Sequence, residues 1–524
     1  MSAHDSPLYL GVDVGTSATK GVLADAGGRV LWAAEASYRH STPRPLWAEQ
    51  DPEDWWRALG AVTRRLFAGH PGAAGRVAAV GVSGQGVAAV LVDEAGRPVR
   101  PAILGLDARS APQAARLDAR CGARVAAVSG KRPAAYNVEP KLHWVREHEP
   151  EPWARARQVL TTTAYVVRRL TGRSVMNRSD GGILLAYDLD RHRWSPELLD
   201  LLELPAALYP ELAECDAVVG RVTPAAAEAT GLAAGTPVVA GGEDTSSAGL
   251  AVGVLAPDAA LLSLGSAGTV YVPATAPARD PRLLAFPHVV GGLTLVGGSM
   301  VAAGHAVEWA ARLVGGAELP NEPADAALLA RLTTEAAAAP AGADGLVFAP
   351  YLAGELQPVN DGFARGVFVG LTLSTGRGHL VRAVLEGTAM AVRHNLAAAA
   401  EAGAPVERLV AVGGPTRNDL WCQILADVTG LPLAVMEERG GAALGDAILA
   451  ALGVGHVQDA AAMQRAHARV RREFLPRPEL AGLYARLFGV YAELHPRLRD
   501  LFPRLAPDDR AATPSPQETP CTRT

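Results

Sequence analysis

The stretch Leu8 to Leu23, LYLGVDVGTSATKGVL, most limits what this chain can fold into. Two apolar runs flank Asp13-Val-Gly-Thr-Ser-Ala-Thr-Lys20, a pattern that reads as strand, tight turn, strand. Gly15 lets the backbone approach a bulky group, the hydroxyls of Thr16, Ser17 and Thr19 can donate to phosphate oxygens, and Asp13 stands where a metal ion or its waters could be held. A nucleotide phosphate hairpin and an ordinary glycine turn both fit these residues. The hairpin is neither a Gly-x-x-x-x-Gly-Lys-Ser/Thr loop nor a Gly-x-Gly-x-x-Gly dinucleotide fingerprint.

A second unit of the same kind, Leu261-Leu-Ser-Leu-Gly265-Ser266-Ala-Gly268-Thr269-Val-Tyr-Val272, follows about 250 residues later. This weak internal duplication predicts two related domains facing a shared nucleotide. With 524 residues the chain is far too long for one ordinary core. A boundary near Gly253 divides it into an N-terminal domain over 1–253 and a C-terminal domain over 254–505. The last residues, 506–524, are rich in Pro, Thr and Asp without periodicity and are expected to be a disordered tail.

The bulk properties remove several function classes. A net charge of -5 without a basic block gives no reason to expect nucleic acid or an anionic membrane as partner. Cys121, Cys215, Cys422 and Cys521 are scattered, so reduced structural thiols, no zinc and a cytoplasmic home are expected. The N-terminus lacks the pattern of a signal peptide. The uncharged stretch Leu283 to Val307 is broken by Pro287, His288, His305 and glycines, which suits buried strands better than a membrane span. Basic residues are nearly all Arg; the three lysines, Lys20, Lys131 and Lys141, stand out against that background.

Along the chain, Asp51-Pro52 predicts a capped helix start, with Trp55 and Trp56 in the core. Val77 to Val82 is an apolar strand ending in Ser83-Gly84-Gln85-Gly86-Val87, the strand end at which α/β sheets bind ligands. Gln85 can use both ends of its amide on a polyhydroxylated substrate, or the segment is simply a turn. Asp107 can accept from sugar hydroxyls, pair with Arg109 or cap the next helix. Thr236 to Ala240 is a buried-type strand ending in Gly241-Gly242-Glu243-Asp244, from which the Asp244 carboxylate can reach a cleft or merely cap a helix. Leu409 to Asn418 runs from a strand into the glycine turn Gly413-Gly414, and the helix from Leu420 can offer free N-H groups to a ligand.

Taken together these residues resemble the FGGY carbohydrate kinase family, and within it xylulokinases, from about Leu8 to about Leu501. The most specific piece is Gly366-Val-Phe368-Val-Gly370-Leu371, then His379-Leu380, then Ala383-Val-Leu-Glu386, which is similar throughout to the family's C-terminal signature. A second signature is met by Tyr136, Lys141, Leu142, Trp144, Val145, Glu147 and His148, with Val138 in place of the usual Ser, Thr or Pro. The Asp13 to Lys20 hairpin, Trp47-Ala-Glu-Gln-Asp-Pro, Gly241 to Asp244, Gly265 to Thr269 and Gly413-Gly414 occur in the family's order.

The resemblance implies an α/β fold of two ribonuclease-H-like domains, as in the actin and sugar kinase ATPase superfamily, with the active site in the cleft between them. It implies ATP and Mg²⁺ as cofactors, a small-molecule sugar as partner, and a homodimer as the assembly. Carried onto this chain, Asp244 is the general base, and Asp13 and Asp244 are the carboxylates at the metal. Gly15, Thr16, Ser17 and Lys20 form the first phosphate loop, Gly265, Ser266 and Thr269 the second, and Gly413, Gly414 and Asn418 line the adenosine pocket. Gln85, Gly86, Val87, Asp107, Tyr136 and Asp244 face the sugar.

Several positions depart from the xylulokinase pattern. Gly86-Val87 stands for Met-His, Gly105-Leu106-Asp107 for Trp-Asn-Asp, and Pro415 for a third glycine. D-xylulose, giving D-xylulose 5-phosphate, is the first expectation, with another ketose such as ribulose, a sugar acid such as gluconate, or a polyol such as erythritol as alternatives. A non-catalytic sugar or nucleotide sensor and an actin-like ATPase are the competing classes.

Overall fold

The structure, a computed structural model, describes residues 6–315, 326–437 and 440–505. The tail expected over 506–524 and Cys521 lie outside them.

Strands β1 (Leu8–Val14), β2 (Ala18–Asp25), β3 (Val30–Ser37), β4 (Val77–Gly84), β5 (Val218–Arg221) and β6 (Pro237–Val239) build the first sheet, in the order β5-β6-β4-β1-β2-β3. β1, β2 and β3 are antiparallel neighbours, β4 is parallel to β1, β6 is parallel to β4, and β5 closes the edge antiparallel. β1 and β4 read as nearly continuous apolar runs because both faces of these central strands are covered.

Strands β7 (Ala259–Leu264), β8 (Gly268–Ala274), β9 (Leu284–Pro287), β10 (Thr294–Met300), β11 (Arg408–Val412), β12 (Leu433–Met436) and β13 (Val470–Phe474) form the second sheet, in the order β9-β10-β8-β7-β11-β12-β13. β7, β8 and β10 are antiparallel, β11 is parallel to β7, β12 is parallel to β11, and β13 is antiparallel at the edge. The path β10-β8-β7-β11-β12 therefore repeats β3-β2-β1-β4-β6 strand for strand. Outside this path the sheets differ: β5 precedes its neighbour in the chain whereas β13 follows it, and β9, antiparallel to β10, has no counterpart beyond β3. The duplication read from the two hairpins thus extends over five strands of each sheet.

Five helices shape the cleft and the packing behind it: α1 (Pro52–Gly69), α2 (Val138–His148), α3 (Asp244–Ala251), α4 (Arg377–Glu401) and α5 (Gly441–Gly453). Asp51 caps α1 by accepting from the Glu53 N-H, with Pro52 in the first turn, as expected. Trp55 is fully buried, whereas Trp56 is half-buried beneath the Arg169 guanidinium. Each half has its own apolar core, and a third cluster joins them: Tyr9, Val22, Val239 and Leu250 pack against Ala443, Ile448 and Leu449 of α5. Small residues make this seam tight. A β-carbon on Gly11 would stand 1.7 Å from the Ala443 carbonyl oxygen, one on Gly81 2.1 Å from that of Asp446, and one on Gly445 2.0 Å from that of Ser247. Cys121, Cys215 and Cys422 are free and buried, and no described helix is long and apolar enough to cross a membrane.

Candidate active site

Three backbone segments end side by side. β1 runs in register with β4, Asp13 beside Ser83 and Val14 beside Gly84, and the short strand Gly242-Glu243 lies beside the same Ser83 and Gly84. The Gln85 N-H donates to the Val14 carbonyl at 2.9 Å, which keeps the chains together beyond the sheet. Asp13, Gln85 and Asp244 therefore leave one sheet end as neighbours, and Asp13 is paired across the hairpin with Lys20.

This end opens on a cavity of about 870 Å³. Asp13, Lys20 and Glu35 line it from the first sheet, Asp244, Thr245 and Ala248 from α3, Ser263, Val412 and Gly413 from the second sheet, and Gly440, Gly441 and Ala442 from the start of α5. The volume falls within the usual range of small-molecule pockets. Both halves of the molecule supply its walls.

Asp13 and Asp244 are the electrostatic centre. Burial, then the charge of Asp244, pushes the Asp13 carboxyl up to about 7, against the pull of Lys20. Its Oδ1 is shut from solvent and has no hydrogen-bond partner in the protein. Asp244 is half-buried at the first turn of α3, and one of its oxygens accepts from the Thr245 hydroxyl at 3.0 Å. Among the described residues no group of three or more His, Cys, Asp or Glu side chains could enclose a metal ion.

The remaining expected residues divide into those near this centre and those held elsewhere. In the first turn, Gly15 has an ordinary φ, and a β-carbon there would meet only the Ala18 carbonyl at 3.3 Å. The Thr16 hydroxyl donates to Gln85 Oε1 at 3.2 Å, and Ser17 is exposed. Gln85 is itself knitted into the protein, its amide nitrogen donating to Gln50, which in turn accepts from the Trp55 indole. A β-carbon on Gly86 would stand 3.2 Å from Ile183 and 3.8 Å from a Glu243 oxygen, so only glycine fits there without a neighbour giving way, and Val87 beside it holds a φ of 54°. Tyr136 is partly buried, its hydroxyl pushed up to about 12 by burial.

Asp107 takes the second of its expected courses. Its oxygens accept from the Ala48 N-H at 2.6 Å and from the Arg109 guanidinium at 2.7 Å, while Arg109 also pairs with Glu49 and lies 3.8 Å over the Trp47 ring. This buried network leaves Asp107 bracing the loop from behind. Asn418 likewise caps a helix, accepting from the Trp421 N-H at 3.1 Å and donating to Thr333, so that the helix start is already served by its own side chain.

In the second hairpin, the Gly265 and Ser266 carbonyls accept from Gly304 and His305 at the start of the following helix. Gly265 and Ser266 are exposed, and the Thr269 Oγ1 is buried without a partner. Gly413 has a φ of 103°, and a β-carbon there would sit 1.8 Å from the Leu264 carbonyl oxygen; nothing crowds the same position on Gly414.

Glu243 was given no role by the sequence. One of its oxygens accepts from the Ser246 N-H at 2.8 Å and caps α3, and the other lies 3.8 Å from where a β-carbon on Gly86 would be. Burial first, then Asp244, holds its carboxyl well above the ordinary range. A glutamate directly before Asp244 in a glycine run was the only available signal.

Comparison with known proteins gives this geometry a family. The model of the FGGY family of carbohydrate kinases, N-terminal domain, matches residues 8–251, and that of the C-terminal domain matches residues 260–454. The chain is 34% identical over 447 residues to the xylulose kinase of Escherichia coli strain K12, covering 85% of this chain and 89% of that one. The crystal structure of xylulose kinase from Rhodospirillum rubrum superposes with a TM-score of 0.88 at 34% identity, over 95% of this chain and 100% of that one. The gluconate kinase structure from Lactobacillus acidophilus shares the fold, with a TM-score of 0.89 at 24% identity over 96% of this chain and 100% of that one. The chain belongs to the FGGY family of carbohydrate kinases.

Proposed function

We propose that this kinase transfers the γ-phosphoryl group of ATP to a hydroxyl of D-xylulose, giving D-xylulose 5-phosphate. The observation that carries the reading is the meeting of Asp13 and Asp244 at one sheet end, on the floor of a cavity walled by both halves. The likeness to xylulose kinases supports the choice of sugar.

In this reading the Asp244 carboxylate accepts the proton as the acceptor O-H bond breaks. The new O-P bond forms while the bond from the γ-phosphorus to the bridging oxygen breaks, and ADP departs. Lys20 lies across the hairpin from Asp13 and offers positive charge to the phosphates. The turns at Gly15 to Ser17 and Gly265 to Thr269 serve as the two phosphate loops, and Gly413-Gly414 borders the nucleoside. The donor set suits Mg²⁺, because that ion keeps several waters and needs only one or two carboxylates. The unpartnered Asp13 Oδ1 supplies such a ligand, with Asp244 beside it. When bound, Mg²⁺ would offset charge on the transferring phosphoryl group.

The departure of Gly86-Val87 and Gly105-Leu106 from the xylulokinase pattern, in loops given to the acceptor, favours as the second reading a differently substituted acceptor: another ketose, a polyol or a sugar acid. ADP release from Mg-ATP across a panel of ketoses, polyols and sugar acids tests both. Strongest stimulation by D-xylulose upholds the first reading, and strongest stimulation by another acceptor replaces it. No stimulation by any acceptor contradicts the proposed reaction.

A further inference from the structure

Lys141 is one of three lysines in an arginine-rich chain, and it is wholly buried in α2. Its Nζ donates to the Val87 carbonyl at 2.8 Å and to the Tyr136 carbonyl at 2.6 Å. These are its hydrogen-bond partners, and no described carboxylate forms an ion pair with it. Burying a cation against two backbone carbonyls is costly, so the arrangement calls for a compensating gain. Burial is the main force lowering its pKa, to about 7, while Asp107 and Glu139 oppose that shift and Arg109 adds to it.

The gain lies in what the two carbonyls belong to. Val87 is β-branched yet holds a φ of 54°, a backbone region such residues rarely enter and that persists only when the surroundings enforce it. Gly105 makes room for the same side chain, since a β-carbon there would stand 2.9 Å from Val87 Cγ2. The lysine thus fastens the loop after β4 to the Tyr136 segment, and both loops carry residues that the kinase reading gives to the acceptor. A compact ammonium with three donors can serve two carbonyls in this space, whereas the larger planar fork of arginine would need more room.

We propose that Lys141 is a positioning residue for the acceptor sugar, clamping the strained Val87 carbonyl and the Tyr136 carbonyl so that both loops present one fixed surface. The inference rests on the kinase reading. It predicts that the acceptor loses affinity when the clamp is cut and that the nucleotide does not. It also predicts that removing the strain at Val87 lessens the need for the clamp, because glycine adopts this φ freely.

The test measures KM for the best acceptor and for ATP in the full-length wild-type chain, Lys141→Met, Lys141→Gln, Val87→Gly and the double variant Lys141→Met/Val87→Gly, so that the effect of Lys141→Met is read in both backgrounds. Lys141→Met is expected to raise the acceptor KM about tenfold or more, the scale set by one strained residue. The fall in kcat is expected to be smaller and the ATP KM unchanged, and Lys141→Met is expected to raise the acceptor KM several-fold less in the Val87→Gly background than in the wild type. Lys141→Gln, which keeps two N-H donors, is expected to fall between. An acceptor KM within about twofold of wild type in Lys141→Met, or equal rises for acceptor and ATP, overturns the proposal. So does an equal effect of Lys141→Met in the wild-type and Val87→Gly backgrounds, or failure of every Lys141 variant to fold, since either makes Lys141 a purely structural residue. If the wild type releases no ADP with any acceptor, the kinase reading itself has failed, and the proposal falls with it.

Discussion

Ser83 donates a hydrogen bond to Asp446 at 2.6 Å across 363 positions of sequence. The other oxygen of Asp446 accepts from Ser247 at 2.8 Å, so one carboxyl from α5 ties together β4 and α3, the two elements that deliver Gln85 and Asp244. The side chain is fully buried, and burial holds its pKa well above the ordinary range.

Asp446→Ala strands both serine hydroxyls in the seam and is expected to cost about 3 kcal/mol of stability. Asp446→Asn keeps the shape and costs less. Because the folded carboxyl is raised, the native state binds more protons than the unfolded chain above the ordinary carboxylate pKa, so this group's contribution is full at low pH and declines as pH rises. Urea unfolding of wild type and Asp446→Asn across pH should show a steeper decline with rising pH in the wild type than in the variant, which keeps the raised carboxyls of Asp13 and Glu243.

Asp13 gives a second pH dependence. Its carboxyl protonates near pH 7 in the metal-free protein, so affinity for Mg-nucleotide should weaken as pH falls through that region. Asp244→Asn removes a charge that raises Asp13 and should move the midpoint down. Calorimetric titration of Mg-ADP at several pH values reads both effects.

The tight seam predicts a contrast among glycines. Gly11→Ala, Gly81→Ala and Gly445→Ala each place a methyl group against a backbone oxygen and should cost about 3 kcal/mol. Gly69→Ala, with nothing within 4 Å of its new carbon, should stay within about 1 kcal/mol of wild type. Thermal unfolding of the four variants checks the order.

Much of the fold was legible because its signals are local. The apolar runs and turn around Asp13, the Asp51-Pro52 cap and the second hairpin at Gly265 each lie within a few residues, and hairpins and helix starts are decided at that range. The site was less legible wherever a residue's partner is distant. Asp107 read equally as a sugar ligand or as the mate of Arg109, and the deciding contacts, Ala48 and Glu49, come from a separate segment. Lys141 stood out as a lysine among arginines and as a member of the second family signature, but its role did not, because backbone carbonyls as partners leave no mark in side-chain pattern. The small residues after Gly440 carry no mark of the neighbour they pack against. That α5 packs on the first sheet follows from contacts such as Gly11 with Ala443, over 400 positions apart.

The central claim is that Asp244 takes the acceptor's proton, and the most direct test is acceptor-stimulated ADP release by wild type and Asp244→Asn, with Mg-ATP affinity measured on the same samples. The account predicts a fall in kcat of about 10²- to 10⁴-fold, the usual weight of a positioned general base, with ATP still bound. A variant that keeps kcat within a few fold of wild type would contradict it.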